Sequence, residues 1–426
     1  MKRIILFALF GWPYHLVAQS TLQIDSLSSP ALGKTEKYQI YLPDGYTQNN
    51  NQRYPVVYFL HGALSDHEGY DFIKIVLDNL IVTKKIQPMI VVKPNGSQGN
   101  YGGSMFTNST LYGKVEDFIV KDLVAHVDQK YRTMGTRNAR AVMGHSMGAD
   151  GAARFGTLHP DVFCGFAAHS GSLDFSFARI FFSFAVQEQL QQKDSIPYDF
   201  RPNDGFATGA LFRAAGAASP NLTKPPYFVD FPLDPQGEQI DSVFQKWFSI
   251  SAANLVRRKP PTKEIGMFFD CGFQDEFGFM LFNNGFRDSL LKSGLKFTYQ
   301  NFTGGHGDKL LDRMAISLPY LDSLMSKLST AVYSPGKWRD KITMKIYPNP
   351  GNDTVTLELS SPENTSAGVV IQNAAGQVLR VLRKDWQINA GVNQLQLNVS
   401  DLGIGMYWLV VRGEGFVVSN PLQRVK

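Results

Sequence analysis

The chain has 426 residues, of which 43% are hydrophobic and only 19% charged, with a net charge of +5. That length suits two or three domains whose cores need no staples, and the apolar content excludes a disordered protein. Two cysteines exclude a disulfide scaffold and a cysteine-built zinc ribbon.

Residues 1–18 read as a secretory signal peptide: Lys2 and Arg3, the apolar run Ile4–Trp12, then Leu16-Val17-Ala18 before Gln19. A buried N-terminal strand is the competing reading, and the basic flank argues against it. Cleavage after Ala18 takes away Lys2 and Arg3 and lowers the net charge from +5 to +3. So small an excess, with no lysine- or arginine-rich stripe, gives no case for nucleic acid as a partner. No later apolar run reaches the roughly 18 to 20 residues of a membrane helix, so no transmembrane segment is expected and the body reads as soluble.

From residue 35 to about 330, short apolar runs alternate with amphipathic stretches, the pattern of an α/β domain. Strands are predicted over Tyr54–Leu60, Met89–Lys93, Arg140–Gly144, Phe163–His169, Ile265–Phe269 and Lys296–Phe302. Helices are predicted over Val115–Tyr131, from the serine motif to Leu158, and over Phe279–Leu291 and Leu310–Leu328. Between Asp174 and Lys263 the period breaks down, and the stretch is rich in Phe, Gln and Pro. An insert of that length reads as a cap, since long structureless loops are rare in compact domains. Residues 331–342 mix Pro, Gly and charge and read as a linker. Beyond them Val355, Leu357, Leu359 and Leu395, Leu397, Val399 alternate with polar residues, which predicts a small β-sandwich.

Gly144-His145-Ser146-Met147-Gly148 matches G-x-S-x-G. The bare motif is weak, but an apolar strand runs into it and a helix leaves it. A serine on such a turn is exposed above the sheet, and flanking glycines spare Cβ clashes. The competing reading is a glycine-rich turn without chemistry. In the Ser–acid–His chain order of such sites, the base must follow further strands. His159 and His169 come too early, and His306 lies in the loop Thr303-Gly304-Gly305-His306-Gly307 after the last strand. The acid is expected in Asp270-Cys271-Gly272-Phe273-Gln274-Asp275-Glu276, where Asp275, past the turn, is preferred over Asp270 and Glu276. Two backbone N–H groups must face the developing charge. Met147 supplies one and Ala63, in His61-Gly62-Ala63, is the choice for the other; His61 itself reads as structural.

These residues resemble the esterase D-like branch of the α/β-hydrolases, which includes feruloyl esterases, S-formylglutathione hydrolase and mycolyltransferases. The resemblance runs from about residue 35 to 325. It is carried by Tyr58-Phe59-Leu60-His61-Gly62, Phe106-Thr107-Asn108-Ser109, Asp122-Leu123 with Tyr131-Arg132-Thr133, and Gly144–Gly148. It continues through His159-Pro160-Asp161-Val162-Phe163, Ser170-Gly171, Gly272-Phe273-Gln274-Asp275 and Gly304-Gly305-His306. It implies an α/β-hydrolase fold with a mostly parallel central sheet, and the triad Ser146, Asp275 and His306. Ala149 departs from the family's usual second glycine, and the insert 174–263 is long for it.

The C-terminal part resembles the sorting domain of type IX secretion in Bacteroidetes, through Ile346-Tyr347-Pro348-Asn349-Pro350, Ala375-Gly376-Gln377 and Gly405-Met406-Tyr407 before Trp408–Arg412. A carbohydrate-binding sandwich is the alternative, with only Trp386, Tyr407 and Trp408 to form its face.

The expected organisation is therefore a signal peptide (1–18), an esterase domain (19–330), a linker (331–342) and a sorting domain (343–426). Cys164 and Cys271, in neighbouring strands, are expected as free buried thiols. No metal or other cofactor is expected, because no His, Asp and Glu cluster has ligand spacing. The expected function is a secreted or cell-surface serine esterase, with a small ester or an acylated glycan bearing feruloyl or acetyl groups as substrate. The type IX machinery is its expected export partner. An acyltransferase of the same fold is the alternative, and a catalytically silent, surface-binding fold is a third reading, which the intact Ser, Asp and His set opposes.

Overall fold

The central sheet has eight strands: β1 (Thr21–Ser29), β2 (Lys34–Leu42), β3 (Val56–Leu60), β4 (Ile90–Pro94), β5 (Arg140–His145), β6 (Gly165–His169), β7 (Gly266–Gly272) and β8 (Thr298–Phe302). Their order is β1-β2-β4-β3-β5-β6-β7-β8. β1 and β2 pair antiparallel, as do β2 and β4, and every pair from β4 to β8 is parallel. The computed structural model describes residues 20–47, 51–191, 199–234, 236–332, 342–372, 378–413 and 416–425. The signal segment 1–18, most of the linker 331–342 and the motif Ala375-Gly376-Gln377 lie outside the described residues.

The inner strands are covered on both faces, which explains their continuous apolar runs. β3, β4, β5 and β6 are buried at every position. The hairpin β1–β2, which turns at Gly33 with φ 66°, falls outside the predicted elements. β1 lies at the sheet edge with mostly polar, exposed residues, so its sequence carries little apolar signal.

Register matters for function. Leu60 stands beside Gly144, His145 beside His169, His169 beside Asp270, and Gly272 beside Phe302. The carboxyl ends of β3, β5, β6, β7 and β8 are therefore aligned, and the loops after them share one rim.

Helices pack around this sheet. They are α1 (Ile73–Val82), α2 (Met147–Leu158), α3 (Arg179–Leu190), α4 (Phe206–Ala218), α5 (Asp241–Ser249), α6 (Ala252–Arg258), α7 (Phe279–Lys292) and α8 (Leu310–Val332). The predicted helix over Val115–Tyr131 forms as three consecutive pieces, Val115–Asp117, Phe118–Leu123 and Val124–Lys130, the middle one a π-helix. The irregular stretch 174–263 contains α3 to α6. Glu188 of α3 caps α4 by accepting the N–H groups of Ala207 and Thr208, both at 2.8 Å. Those donors have no intrahelical acceptor, and a carboxylate at a helix N-terminus satisfies both.

The chain falls into two compact units, Met1–Met325 and Ser326–Lys426. The second holds two antiparallel sheets. One is β9 (Thr343–Tyr347), β10 (Thr354–Ser361) and β13 (Gly391–Asn398), in the order β9-β10-β13. The other contains β11 (Thr365–Gln372), β12 (Val378–Ile388), β14 (Gly405–Gly413) and β15 (Phe416–Arg424), in the order β12-β11-β14-β15. Val355, Leu357 and Leu359 meet Val369, Ile371, Leu409 and Val411 in one buried core, the arrangement of a β-sandwich. Trp408 faces solvent, whereas Trp386 and Tyr407 pack against the core. Asn349 ties the end of β9 to β15, donating to Pro421 O at 2.7 Å and accepting from Gln423 N at 2.9 Å.

No described helix is long and apolar enough to cross a membrane. Both cysteines are buried and free.

Candidate active site

Ser146 stands between the end of β5 and the start of α2, with φ 58° and ψ −123°. A non-glycine residue there is strained by on the order of 1–3 kcal/mol, and only the surrounding structure holds it. The flanking glycines show how tightly. A Cβ on Gly148 would sit 1.9 Å from Leu60 O, and one on Gly144 would sit 2.3 Å from Gly148 O. Ser146 N donates to His169 O at 2.9 Å, which fixes the turn to the neighbouring strand end.

After β7 the chain turns at Phe273 and Gln274 and buries Asp275. Asp275 Oδ2 lies 2.9 Å from His306 Nδ1, while its Oδ1 accepts the Phe277 N–H at 3.0 Å. The imidazole of His306 lies edge-on to Phe277 and Phe279, at centroid distances of 4.9 and 5.2 Å. Its backbone is held as well. His306 N donates to Glu276 Oε2 at 2.9 Å, and its carbonyl accepts from His145 Nε2 and Arg313 Nη1, both at 3.2 Å.

A carbonyl only accepts, so His145 carries its proton on Nε2. Burial and the neighbouring His306 and Arg313 charges push His145 well below the usual histidine range, so its Nδ1 is free to accept from Tyr70 O–H at 2.8 Å. His145 thus bridges Tyr70 to the His306 loop.

Asp270 serves a different network. Its Oδ2 contacts His169 Nδ1 at 2.7 Å, and its Oδ1 accepts from Arg313 Nη2 at 2.6 Å. Burial opposes its ionisation, but the charges and hydrogen bonds of His169 and Arg313 outweigh it and hold the carboxyl below its ordinary value. Asp270 holds the loop through Arg313, which grips the His306 carbonyl.

His61 sits where its structural reading puts it. Nδ1 donates to Gly62 O and Nε2 accepts from Gly96 N, each at 2.8 Å, and burial lowers its pKa to about 4. Gly62 is close to the serine, since a Cβ there would lie 3.4 Å from Ser146 Cβ. The next residue, Ala63, lines the same cavity as Ser146 and Met147. Met147 opens α2, so its N–H has no acceptor within the helix.

This cavity has a mainly apolar wall. The segment 174–263 supplies Phe175, Phe181, Leu211 and Trp247 to it, and α7 supplies Phe282. Asp150, Ser172 and Arg213 are its other polar side chains besides Ser146. The sequence reading missed Tyr70, Arg313 and these three. None belongs to a local pattern, apart from Asp150 lying just after the serine motif. Among the described residues no group of three or more His, Cys, Asp or Glu is placed to hold a metal.

Residues 29–284 match the family model described as putative esterase. The chain belongs to this esterase family. Residues 345–421 match the secretion system C-terminal sorting domain, in keeping with the type IX resemblance. Esterase MT1326 of Mycobacterium tuberculosis is 28% identical over 141 residues, 33% of this chain and 30% of that protein. An endo-1,4-beta-xylanase/feruloyl esterase of Xylanibacter ruminicola is 29% identical over 126 residues, 28% of this chain and 17% of that one. The chain thus spans less than a third of the length of these curated relatives. A solved ferulic acid esterase superposes with a TM-score of 0.52 at 22% identity, covering 72% of this chain and 99% of the other. With the strand order above, that likeness gives the fold as α/β-hydrolase, followed by the β-sandwich unit.

Proposed function

We propose that this protein is an exported serine esterase that hydrolyses carboxylic esters through an acyl-enzyme. The observation that carries the reading is the Asp275–His306 hydrogen bond, beside a strained serine whose cavity is walled by the two rings that hold the imidazole.

Ser146 is the nucleophile. His306 Nε2 takes the Ser146 proton as Oγ bonds to the ester carbonyl carbon, and Asp275 orients the ring and stabilises its cationic form. The carbonyl oxygen becomes an oxyanion, facing the N–H groups of Met147 and Ala63. Collapse of this intermediate breaks the ester C–O bond, and the alcohol leaves with the proton from His306. Water, deprotonated by His306, then attacks the acyl-enzyme and frees the acid and Ser146. This cycle needs no metal or other cofactor.

The apolar, partly enclosed cavity favours an aromatic or medium-length acyl group over acetyl. A feruloyl ester on a polysaccharide suits it, as the names of the Xylanibacter relative and of the solved ferulic acid esterase suggest. The segment 174–263 acts as the cap of this cavity.

Export follows two signals: residues 1–18 across the inner membrane, then residues 343–426 as the sorting domain for the type IX machinery. The exported chain comprises the esterase domain 19–330, the linker 331–342 and that sorting domain, which export can remove.

The deciding experiment is a panel of feruloyl, butyryl and acetyl esters assayed on the mature protein. Turnover of the feruloyl or butyryl esters that disappears in Ser146→Ala is expected. Equal turnover by both proteins would end the reading. Added alcohol, with product analysis, separates hydrolysis from acyl transfer.

A further inference from the structure

The buried arginines of this protein do not all behave alike. Arg140, Arg154, Arg313 and Arg424 each reach a carboxylate, on Asp128, Glu116, Asp270 and Asp353 respectively. Arg213, on α4, is only 3% exposed, and among the described residues no carboxylate pairs with it. Its Nη1 donates to Tyr101 O at 3.0 Å, while its Nη2 is buried without a hydrogen-bond partner. Burial lowers its pKa only to about 10, so the guanidinium remains a cation at neutral pH.

The Arg213 Cζ lies 5.5 Å from the centroid of the Phe206 ring, a weak cation–π contact that supplies no counter-charge. A buried cation without a carboxylate is costly, and native proteins pair such groups or use them. A tether to one carbonyl does not require it, because a neutral amide donates to a carbonyl without burying charge. The position is informative too. Arg213 lines the cavity that holds Ser146, and also an outer, more polar recess formed by Asn100, Tyr101, Asn203 and Phe206 among others. A Cβ on Gly103 would fall 2.4 Å from Met147 Sδ and 3.4 Å from Arg213 Cδ. The bare glycine therefore lets the arginine stem lie beside the residue that follows Ser146. Asp150, the carboxyl on the same cavity, is bound instead to the Ser172 hydroxyl at 2.6 Å.

We propose that Arg213 is an anion site for the substrate: the preferred ester carries a second group, a carboxylate, that pairs with the Arg213 guanidinium while its ester carbonyl lies at Ser146. The inference rests on the serine esterase reading above. The carboxylate belongs to the acyl part if it reaches Arg213 through the apolar cavity, and to the alcohol part if it does so from the outer recess.

Two pairs of esters test this. 4-Nitrophenyl butyrate against 4-nitrophenyl hemisuccinate places the carboxylate on the acyl side. The butyrates of 4-nitrophenol and of 3-carboxy-4-nitrophenol place it on the alcohol side. A charge-assisted bond predicts that wild type favours the carboxylate member of one pair by about tenfold in kcat/KM. Arg213→Gln should abolish that preference through KM, costing the carboxylate member about tenfold more than its neutral partner, and be partly rescued by Arg213→Lys. Wild-type turnover of neutral butyrate with no preference in either pair overturns the anion site alone. So does an equal loss on both members in Arg213→Gln. No turnover of any ester removes the esterase reading and the anion site together. If Arg213→Gln does not fold, wild-type inhibition by 4-phenylbutyrate against 4-phenylbutanamide decides. Binding of the acid about tenfold tighter supports the site, and equal binding overturns it.

Discussion

Asp270 and Asp275 leave the same strand end within one turn of chain, yet their carboxylates face different histidines. Asp270 Oδ2 is 2.7 Å from His169 Nδ1, and Asp275 Oδ2 is 2.9 Å from His306 Nδ1. Only the second pair lies at the rings that wall the Ser146 cavity. Asp275→Asn should therefore cut kcat by on the order of 10⁴, because the amide no longer holds the imidazole in the reactive tautomer or stabilises its charge. Asp270→Asn leaves Arg313 and His169 short of a buried anion and should destabilise the fold by about 3–5 kcal/mol, with a smaller loss of kcat. Thermal unfolding and single-turnover kinetics on the two variants separate the roles. The opposite pattern would reassign the catalytic acid.

Ser146→Ala removes one hydroxyl and keeps a side chain that tolerates the same backbone turn. Ester hydrolysis should vanish while the melting temperature stays near that of the wild type. An organophosphate should label the wild type once, at Ser146, and leave the variant unlabelled. Label on another residue would displace Ser146 as nucleophile.

The inner strands and the helix after Ser146 could be read from the sequence because sheet burial on two faces writes a local apolar run. The edge strand β1, largely exposed, writes none. The helices of 174–263 were hidden for another reason. α3 buries Phe181, Phe182, Ala185 and even Gln189, so apolar residues do not mark one clean face. Chain order was enough to nominate Ser146, Asp275 and His306, since each follows a strand end. Arg313 acts on that loop from the helix that follows it, and Tyr70 acts from a distant segment through His145; no local spacing announces such partners. Among the described residues Arg213 is unusual for what it lacks, an acid in three dimensions, which a sequence does not display.

Asp150 gives the protein a pH signature. It lines the Ser146 cavity, and burial pushes its carboxyl up to about 7 against the opposing pulls of Ser172 and Arg154. Between its ordinary value of 3.8 and about 7, the native chain holds a proton that the unfolded chain has released. The associated stability is therefore full below the unfolded value and is lost as pH rises through about 7. Asp150→Asn keeps an acceptor for Ser172 but does not titrate. Its melting temperature should fall less with rising pH across that window, and it should gain on the wild type above pH 7. An unchanged slope would assign the effect to another group.

Removing the sorting domain should separate chemistry from export. Ser146, Asp275 and His306 all precede Val332, where α8 ends. A chain ending there should fold and hydrolyse esters at the wild-type rate in vitro. In the native host, fractionation should find the enzyme made with its sorting domain outside the cell and the shortened one in the periplasm. Shortened enzyme in the medium of unlysed cells would contradict the sorting role.

Adjacent phenylalanines of α3 should show different consequences when truncated. Phe181 lines the cavity with Ser146 and packs against Phe279 and Phe282, at centroid distances of 5.3 and 5.7 Å. Phe182 is buried against Trp247 at 5.7 Å, behind the cavity wall, and does not itself line the cavity. Phe182→Ala removes core packing and should cost about 3–5 kcal/mol without altering which esters are preferred. Phe181→Ala also loses packing, but it enlarges the space open to the acyl group. Its ratio of kcat/KM between feruloyl and acetyl esters should shift by about tenfold, the scale of one apolar contact in a binding pocket. Measuring that ratio at a temperature where both variants are folded keeps stability out of the comparison. Equal ratios in wild type, Phe181→Ala and Phe182→Ala would mean that these rings serve only the core of the segment 174–263, and that acyl selectivity is set elsewhere on the cavity wall.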